Sequence, residues 1–249
     1  SNYPTYRGVA PDAKIVAVKV FDSSGVAGQS DVAKGIDYCI DMKDTYGIKI
    51  ISLSLGTTDY WNSTYCDDEP DAKEVNVAVA AGIFVDVASG KEAKTDRISS
   101  PACASNATSV GAVDKGDGFW DFTNRGSLLD LLAPGVSIKS TNWTFFSLFT
   151  TKTGTSMAAP HVAGLAALML QANSTLTPYQ LEYFMKQTGV SISGYPRINA
   201  SAAVRAVMPS ISITLGFNSI VFETINPGDT KMISNYNITI DATTSVDVD

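Results

Sequence analysis

The sequence predicts an α/β domain built on a doubly wound, mainly parallel sheet, followed by the start of an antiparallel β module. Three observations carry this. Strand-like and helix-like segments alternate at the lengths of βαβ units. Ile48–Leu55 and Ile83–Ala88 are almost continuously apolar, as strands buried on both faces of a parallel sheet are. From Ile211 onward the pattern switches to alternation of apolar and polar residues (Ile211, Ile213, Leu215; Tyr236, Ile238, Ile240), which suits a half-solvated sheet. The change falls at Met208-Pro209-Ser210, dividing the chain into residues 1–208 and residues 209–249. The second part is too short to close a sandwich.

Each element has its own grounds. Ala13–Val20 is rich in β-branched residues and reads as the first strand, ending at the turn Asp22-Ser23-Ser24-Gly25. Ser30 is placed to cap a helix whose apolar positions Val32, Ile36, Cys39 and Ile40 share one face, and Gly47 ends it. The strand Ile48–Leu55 follows, then a polar loop, Thr57–Pro70, with the acidic run Asp67-Asp68-Glu69. A helix over Asp71–Ala81 stops at Gly82, and Ile83–Ala88 and Thr108–Val113 are the next strands. Shorter segments, Trp120–Thr123 and Leu128–Leu132, lead through Ala133-Pro134-Gly135 to an aromatic hairpin near Phe145–Phe149. Helices over the Ser156 segment, Thr177–Gln187 and Ala200–Val207 complete the first part. A turn at Asn226-Pro227-Gly228-Asp229 marks the β module.

Composition narrows the function. The chain of 249 residues is 45% apolar and 17% charged, an ordinary globular balance. A net charge of -7 with no basic stripe argues against nucleic acid as a partner. No apolar run reaches the roughly 18–20 residues that span a bilayer, and the longest, around Val77–Val85, stops at Asp86. Ser1 is preceded by no initiator Met or signal-peptide pattern, so the chain reads as a processed product or an excerpt. Sequons at Asn62, Asn106, Asn142, Asn173, Asn199 and Asn237 point to a secreted or cell-surface glycoprotein. Three cysteines allow one disulfide. Cys39 lies on a helix's apolar face, which favours the loop pair Cys66 and Cys103.

The chemistry concentrates in Gly154-Thr155-Ser156-Met157-Ala158-Ala159-Pro160-His161-Val162-Ala163-Gly164. Ser156 stands where a loop becomes a helix. The first N–H groups of a helix lack intrahelical partners and carry its positive end, so negative charge developing there is stabilised. Gly154 allows close approach of a ligand, Pro160 fits early in the helix, where a missing N–H costs least, and the small residues around it permit tight packing. This string resembles the nucleophile segment of the subtilisin-like serine proteases (subtilases, peptidase S8). Gly8-Val9-Ala10-Pro11, Ser99-Ser100-Pro101-Ala102-Cys103, Val110-Gly111-Ala112-Val113-Asp114, Leu132-Ala133-Pro134-Gly135 and Gly194-Tyr195-Pro196-Arg197-Ile198-Asn199-Ala200 also match, in order, from Gly8 to Val207.

The resemblance implies a three-layer subtilisin-like fold and hydrolysis of polypeptide substrates through an acyl-enzyme, with Ser156 as nucleophile and no cofactor required for the chemistry. It implies that Ser54, Leu55 and Gly56 form one wall of the specificity pocket and Ala88, Ser89 and Gly90 the other. Gly25 and Val26 would pair with substrate backbone as an added strand. A structural calcium is conceivable at Asp67-Asp68-Glu69 with Asp71, though such a run is more often a solvated loop, and the metal assignment is left unknown. Nothing in the sequence sets the oligomeric state.

Three features depart from the family. The sole histidine, His161, lies five residues along the helix from Ser156, roughly 140° around and roughly 7.5 Å away, so it reads as a packed side chain rather than the base. The family's catalytic Asp and His lie ahead of the Gly8 segment, and the given residues start just short of them. Lys91 occupies the position of the family's oxyanion-hole Asn, and its long stem is poorly preorganised for that role. Asp86 is a carboxylate in a strand fit for burial, with no account from sequence. The reading is therefore a secreted serine endopeptidase whose chain, as given, is inactive; the alternative is a non-catalytic subtilase-like binding or scaffold protein. An α/β-hydrolase esterase fits less well, because its elbow is Gly-x-Ser-x-Gly and this chain has Ala158 at the last position.

Overall fold

The computed structural model describes residues 6–142, 148–208, 211–214 and 239–242. It divides into two compact units, Ser1–Val207 and Met208–Asp249. In the first unit the chain forms α1 (Gln29–Asp41), α2 (Lys43–Tyr46), β1 (Ile50–Leu53), β2 (Tyr60–Trp61), α3 (Pro70–Ala80), β3 (Phe84–Ala88) and β4 (Ile98–Ser99). It continues with β5 (Thr108–Val113), β6 (Leu131–Pro134), β7 (Ile138–Thr141), β8 (Phe149–Lys152), α4 (Thr155–Ala172), α5 (Pro178–Thr188), β9 (Val190–Ile192), β10 (Tyr195–Arg197) and α6 (Ala200–Val207). The second unit shows β11 (Ile211–Thr214) paired antiparallel with β12 (Thr239–Ala242). The predicted turn at Asn226–Asp229, Leu215, Tyr236, the Asn237 sequon, Ile238 and the Phe145 end of the aromatic hairpin lie outside the described residues.

One sheet organises the first unit, in the order β1-β3-β5-β6-β10-β9, parallel throughout except for the β10–β9 pair. The predicted α/β class is observed. Successive side chains of a strand face opposite layers, and β3 shows both. Val85 and Val87 pack with α1 and α3, while Phe84 and Ala88 pack with α4, α5 and α6. Burial on both faces explains why β3 reads as an apolar run; β1, expected to share it, has only Ile51 buried and Ser52 exposed, because it ends the sheet. At the far side, Lys186 of α5 bridges Asp130 and Glu182, and Glu182 accepts from Thr108 of β5, which ties α5 to the sheet.

Several boundaries differ from expectation. Ser30 does not cap α1. Gly28 is the cap residue, with no side-chain bond, and its carbonyl accepts from both Asp31 and Val32 N–H. The strand predicted over 48–55 shortens to Ile50–Leu53 because the Ile48 N–H is taken by Lys43 O at the end of α2, and Ser54 turns toward α4. Thr177 and Gln180 form a reciprocal capping box on α5, a device not singled out from the sequence. The largest correction concerns Ala13–Val20, which forms no strand. Val18 and Val20 pack on α1, but the nearest sheet edge, β1, lies across an open cleft, and a strand without a partner has no ladder to join.

The loop disulfide is Cys66–Cys103, with Cys39 buried as a free thiol. Beside it Asp71 is buried, its Oδ1 accepting from Ser100 Oγ at 2.8 Å. Burial pushes the Asp71 carboxyl up, against the pull of that bond. Asp86 is more extreme. It is fully buried, Ser52 Oγ donates to its Oδ1 at 2.8 Å, and its Oδ2 has no partner among the described residues. Burial drives this carboxyl well above the usual carboxylate range, the Ser52 bond opposing weakly, so the buried group is held neutral.

Two predictions follow from these groups. Replacing Cys66 and Cys103 with alanine opens a loop with a sequence separation of 37 and lowers stability by about 3–4 kcal/mol in denaturant melts; an unchanged midpoint refutes this. For Asp86, the unfolded chain loses its proton first as pH rises past the ordinary carboxylate value, so the folded state loses stability on the alkaline side. Asp86→Asn removes that loss. Its thermal midpoint therefore gains on the parent's progressively as pH rises above about 4, the ordinary carboxylate value, whereas a pH-independent gap would show that Asp86 is ionised in the fold.

Candidate active site

The site forms where the C-terminal ends of β1 and β3 meet the first turn of α4. Parallel strands end together on one edge, and a helix entering there presents unpaired N–H groups to whatever binds. Ser156 is the second residue of α4. Among the described residues no acceptor takes its backbone N–H. Its Oγ donates to Ser54 O at 3.3 Å, and its own carbonyl accepts from Ser54 Oγ at 2.7 Å. The two serines thus exchange hydrogen bonds across the cleft.

Pro160 explains the second of those bonds. It is the sixth residue of α4, beyond the first turn where a missing N–H goes unnoticed, which corrects the expectation that it costs little there. Its absent donor leaves the carbonyl four residues earlier without a helical partner, and that carbonyl is Ser156 O. Ser54 Oγ takes the empty place. His161, one residue on, is not a base for Ser156. Its Nδ1 lies 2.8 Å from Met157 O, so the ring is bonded to its own helix, as the sequence spacing indicates.

The two predicted pocket walls converge on a third residue. A Cβ on Gly56 would fall 2.7 Å from Ser99 Oγ, and a Cβ on Gly90 would fall 3.0 Å from the same atom. Ser99 Oγ therefore lies between Gly56 and Gly90, where the segments Ser54–Gly56 and Ala88–Gly90 come closest; Leu55 and Ala88 turn into the two core layers. Ser99 Oγ donates to Ser89 O at 3.2 Å, and Ser89 Oγ to Asn124 O at 2.8 Å. Asn124 is fully buried and holds the Gly90 turn from below. Its Oδ1 accepts from Glu92 N and Lys94 N, both at 3.0 Å, and its Nδ2 donates to Glu92 Oε2 at 2.7 Å. Gly90 adopts φ +108°, and a Cβ there would sit 2.2 Å from Asn124 Nδ2, so only glycine fits. Neither Ser99 nor Asn124 was assigned a site role from sequence, since their only signal is spatial convergence.

Lys91 follows this turn. Its N–H donates to Glu92 Oε2 at 2.9 Å and its side chain is exposed. Thr155 Oγ1 donates to Gly90 O at 3.2 Å, which fixes the turn against the start of α4. Gly25 and Val26 lie in a tight turn around Asp22. The Val26 N–H donates to Asp22 Oδ1 and its carbonyl accepts from Asp22 N–H, both at 2.9 Å, so both backbone groups of Val26 are engaged. The Ser24 hydroxyl and the Val26 N–H hold the Asp22 carboxyl below its usual range. The acidic run does not gather. Asp67 accepts from Asn76 and from Ser105 N–H, Glu69 from Gln29, and Asp71 from Ser100. Among the described residues no three such ligands come together to fit a metal ion.

The sequence pattern of the Subtilase family (peptidase S8) matches residues 1–207. Over 208 residues the chain is 37% identical to an alkaline protease of Alkalihalobacillus alcalophilus, covering 80% of this chain and 50% of that one. It is also 37% identical over 208 residues to subtilisin Savinase of Lederbergia lenta, covering 80% of this chain and 70% of the relative. Among solved structures, a cold adapted subtilisin-like serine proteinase aligns with TM-score 0.65 and 33% identity, over 76% of this chain and 67% of that one. The chain thus spans half the length of one of these curated relatives and 70% of the other.

The link between Pro160 and Ser54 is measurable. In urea melts of a double-mutant cycle, Ser54→Ala costs about 0.5–1 kcal/mol in the native background. In the Pro160→Ala background, where the helix can satisfy Ser156 O itself, the cost falls to near zero. Equal costs in both backgrounds would sever the link.

Proposed function

This chain belongs to the subtilase family, and on that footing we propose that it carries the nucleophile, the substrate pocket and the helix-borne oxyanion donor of a serine endopeptidase. The observation that supports this best is the placement of Ser156 on the first turn of α4, hydrogen-bonded to Ser54 beside the convergence of Gly56, Ser99 and Gly90. In the proposed reaction Ser156 Oγ attacks the carbonyl carbon of the scissile peptide. Its proton passes to a base, and the developing oxyanion is stabilised by the Ser156 N–H and the positive end of α4. Ester formation expels the amine product, and water then releases the acid. Side chains and backbone donors carry all of these steps, so no cofactor takes part. The residue preceding the scissile bond enters the pocket between Ser54–Gly56 and Ala88–Gly90, and the backbone ahead of it runs beside Gly25 and Val26, where pairing requires the Asp22 turn to release Val26.

The base does not come from these residues. His161 is the sole histidine and is spent on Met157 O. We therefore propose that the base and its orienting carboxylate are contributed by polypeptide outside residues 1–249, and that this chain alone does not hydrolyse peptides. The sequons and the Cys66–Cys103 disulfide support a secreted, glycosylated protein, and no helix among the described residues is long and apolar enough to cross a membrane. The non-catalytic reading draws on one observation, the exposed Lys91 where the family carries its oxyanion Asn.

A fluorophosphonate probe tests the proposal on the full gene product, including any residues ahead of Ser1. Ser156 is labelled there, Ser156→Ala is not, and residues 1–249 alone react only at background rate. Lys91→Asn raises turnover of a chromogenic peptide about 10–100-fold, since losing one preorganised donor costs about 10²–10³, a figure that itself comes from a subtilisin. A full product that leaves Ser156 unlabelled supports the binding-protein reading instead.

A further inference from the structure

One charged side chain of the Gly90 turn has no task in the fold. Lys91 is exposed, and among the described residues its ammonium has neither a hydrogen-bond nor an ion-pair partner. Glu92, the acid next to it, is drawn under the turn. Its Oε2 accepts from the Lys91 N–H at 2.9 Å and from Asn124 Nδ2 at 2.7 Å. Lys94, further along, lies over the Tyr60 ring, with Nζ 5.2 Å from the ring centroid. Lys91 is the cation of this turn that is left for a ligand.

The fold brings that cation to Ser156. Thr155 Oγ1 donates to Gly90 O at 3.2 Å. Lys91 is bonded to Gly90 and Ser156 to Thr155, so both side chains start from neighbouring backbones, and a flexible four-carbon stem spans what separates them. Donors then approach one space from two sides. The Lys91 ammonium comes from the turn, and the Ser156 N–H, without an acceptor among the described residues, comes from α4. The Ser156 hydroxyl is committed only to a long bond, 3.3 Å to Ser54 O.

We propose that Lys91 makes this site a receptor for the free C-terminal carboxylate of a peptide. The last side chain enters the pocket between Ser54–Gly56 and Ala88–Gly90. One carboxylate oxygen accepts from the Ser156 N–H and the other from the Lys91 ammonium. The proposal rests on the reading of the Ser156 site as a peptide site, and not on turnover there. A carboxylate offers two acceptors, one for each donor, and a full charge for the ammonium. A terminal carboxamide turns its NH2 against one of those donors, and a chain that continues past the site has a single oxygen to offer. The oxyanion of the proposed reaction is charged only in passing, whereas a carboxylate is charged on arrival. Because no contact fixes the Lys91 stem, the ammonium is better suited to following a resident anion than to waiting in place for a transient one. The acid half of a cut peptide has this form, so Lys91 slows its departure.

Matched acids and amides test this. The protein is the full gene product carrying Ser156→Ala, which keeps the backbone N–H and prevents turnover. The probes are acetyl-Ala-Ala-Ala-X peptides, X being Ala, Leu or Phe, each as free acid and as carboxamide, titrated by calorimetry. For the X that binds best, the dissociation constant of the acid is about tenfold below that of the amide. Adding Lys91→Arg keeps most of this preference. Adding Lys91→Asn abolishes it while leaving the amide's affinity and the thermal midpoint in place. Equal binding of acid and amide, or an acid preference that survives Lys91→Asn, overturns the inference and leaves the peptide site standing. If no peptide of either kind binds, the reading of a peptide site falls, and the inference falls with it.

Discussion

Close approach of backbone to backbone at the C-terminal ends of the strands is the constraint on which the rest of this structure depends. A Cβ on Gly135 would lie 2.5 Å from Ala112 Cβ and 2.7 Å from Gly154 O, and Gly154 N–H donates to Gly135 O at 2.9 Å. The loop after β6 is thereby laid directly against the residue that starts α4. Gly56 and Gly90 repeat the device, each leaving room for Ser99 where a side chain would collide. Glycine here gives up conformational entropy to allow contact. α4 answers with Ala158, Ala159 and Ala166, all fully buried, so the helix can lie low on the sheet. Ser156 reaches the strand ends because both sides were pared to the backbone.

That explains what the sequence made legible. The Ser156 segment could be read because its meaning is local: a helix start, small residues, a glycine ahead. β3 and β5 could be read because burial on two faces leaves a one-dimensional trace. Ser99 and Asn124 could not, because each acts on partners tens of residues away, Ser89 Oγ to Asn124 O for example, and a polar residue in a loop looks the same whether solvated or buried. Pro160 misled for a related reason. Its cost depends on which carbonyl it orphans and what replaces the lost donor, and Ser54 comes from a segment about a hundred positions earlier in the chain.

The Gly90 turn shows how a buried polar group substitutes for regular structure. Between β3 and β4 there is no ladder to hold the backbone, so its N–H and C=O groups need other partners. Asn124 provides them: its side-chain carbonyl takes two N–H groups, its amide one carboxylate oxygen, and its own N–H reaches Gly90 O at 3.1 Å. Because every polar atom of that amide is matched, the turn is rigid although it lacks secondary structure. Lys91 is then a flexible side chain on a firmly held backbone.

The open edge of β1 and the neutral carboxyl of Asp86 belong to one problem. Asp86 sits opposite Ser52 in the β3–β1 register, and Ser52, exposed on the edge strand, is its one side-chain donor among the described residues. Ser52 stands beside solvent, and the carboxyl keeps its proton because burial outweighs that single donor. The hydroxyl that reaches it comes from the neighbouring strand, so the bond ties β1 to β3 through side chains as the ladder does through the backbone. A carboxyl that looks misplaced in one strand is thus accommodated by two, one burying it and the other supplying its donor.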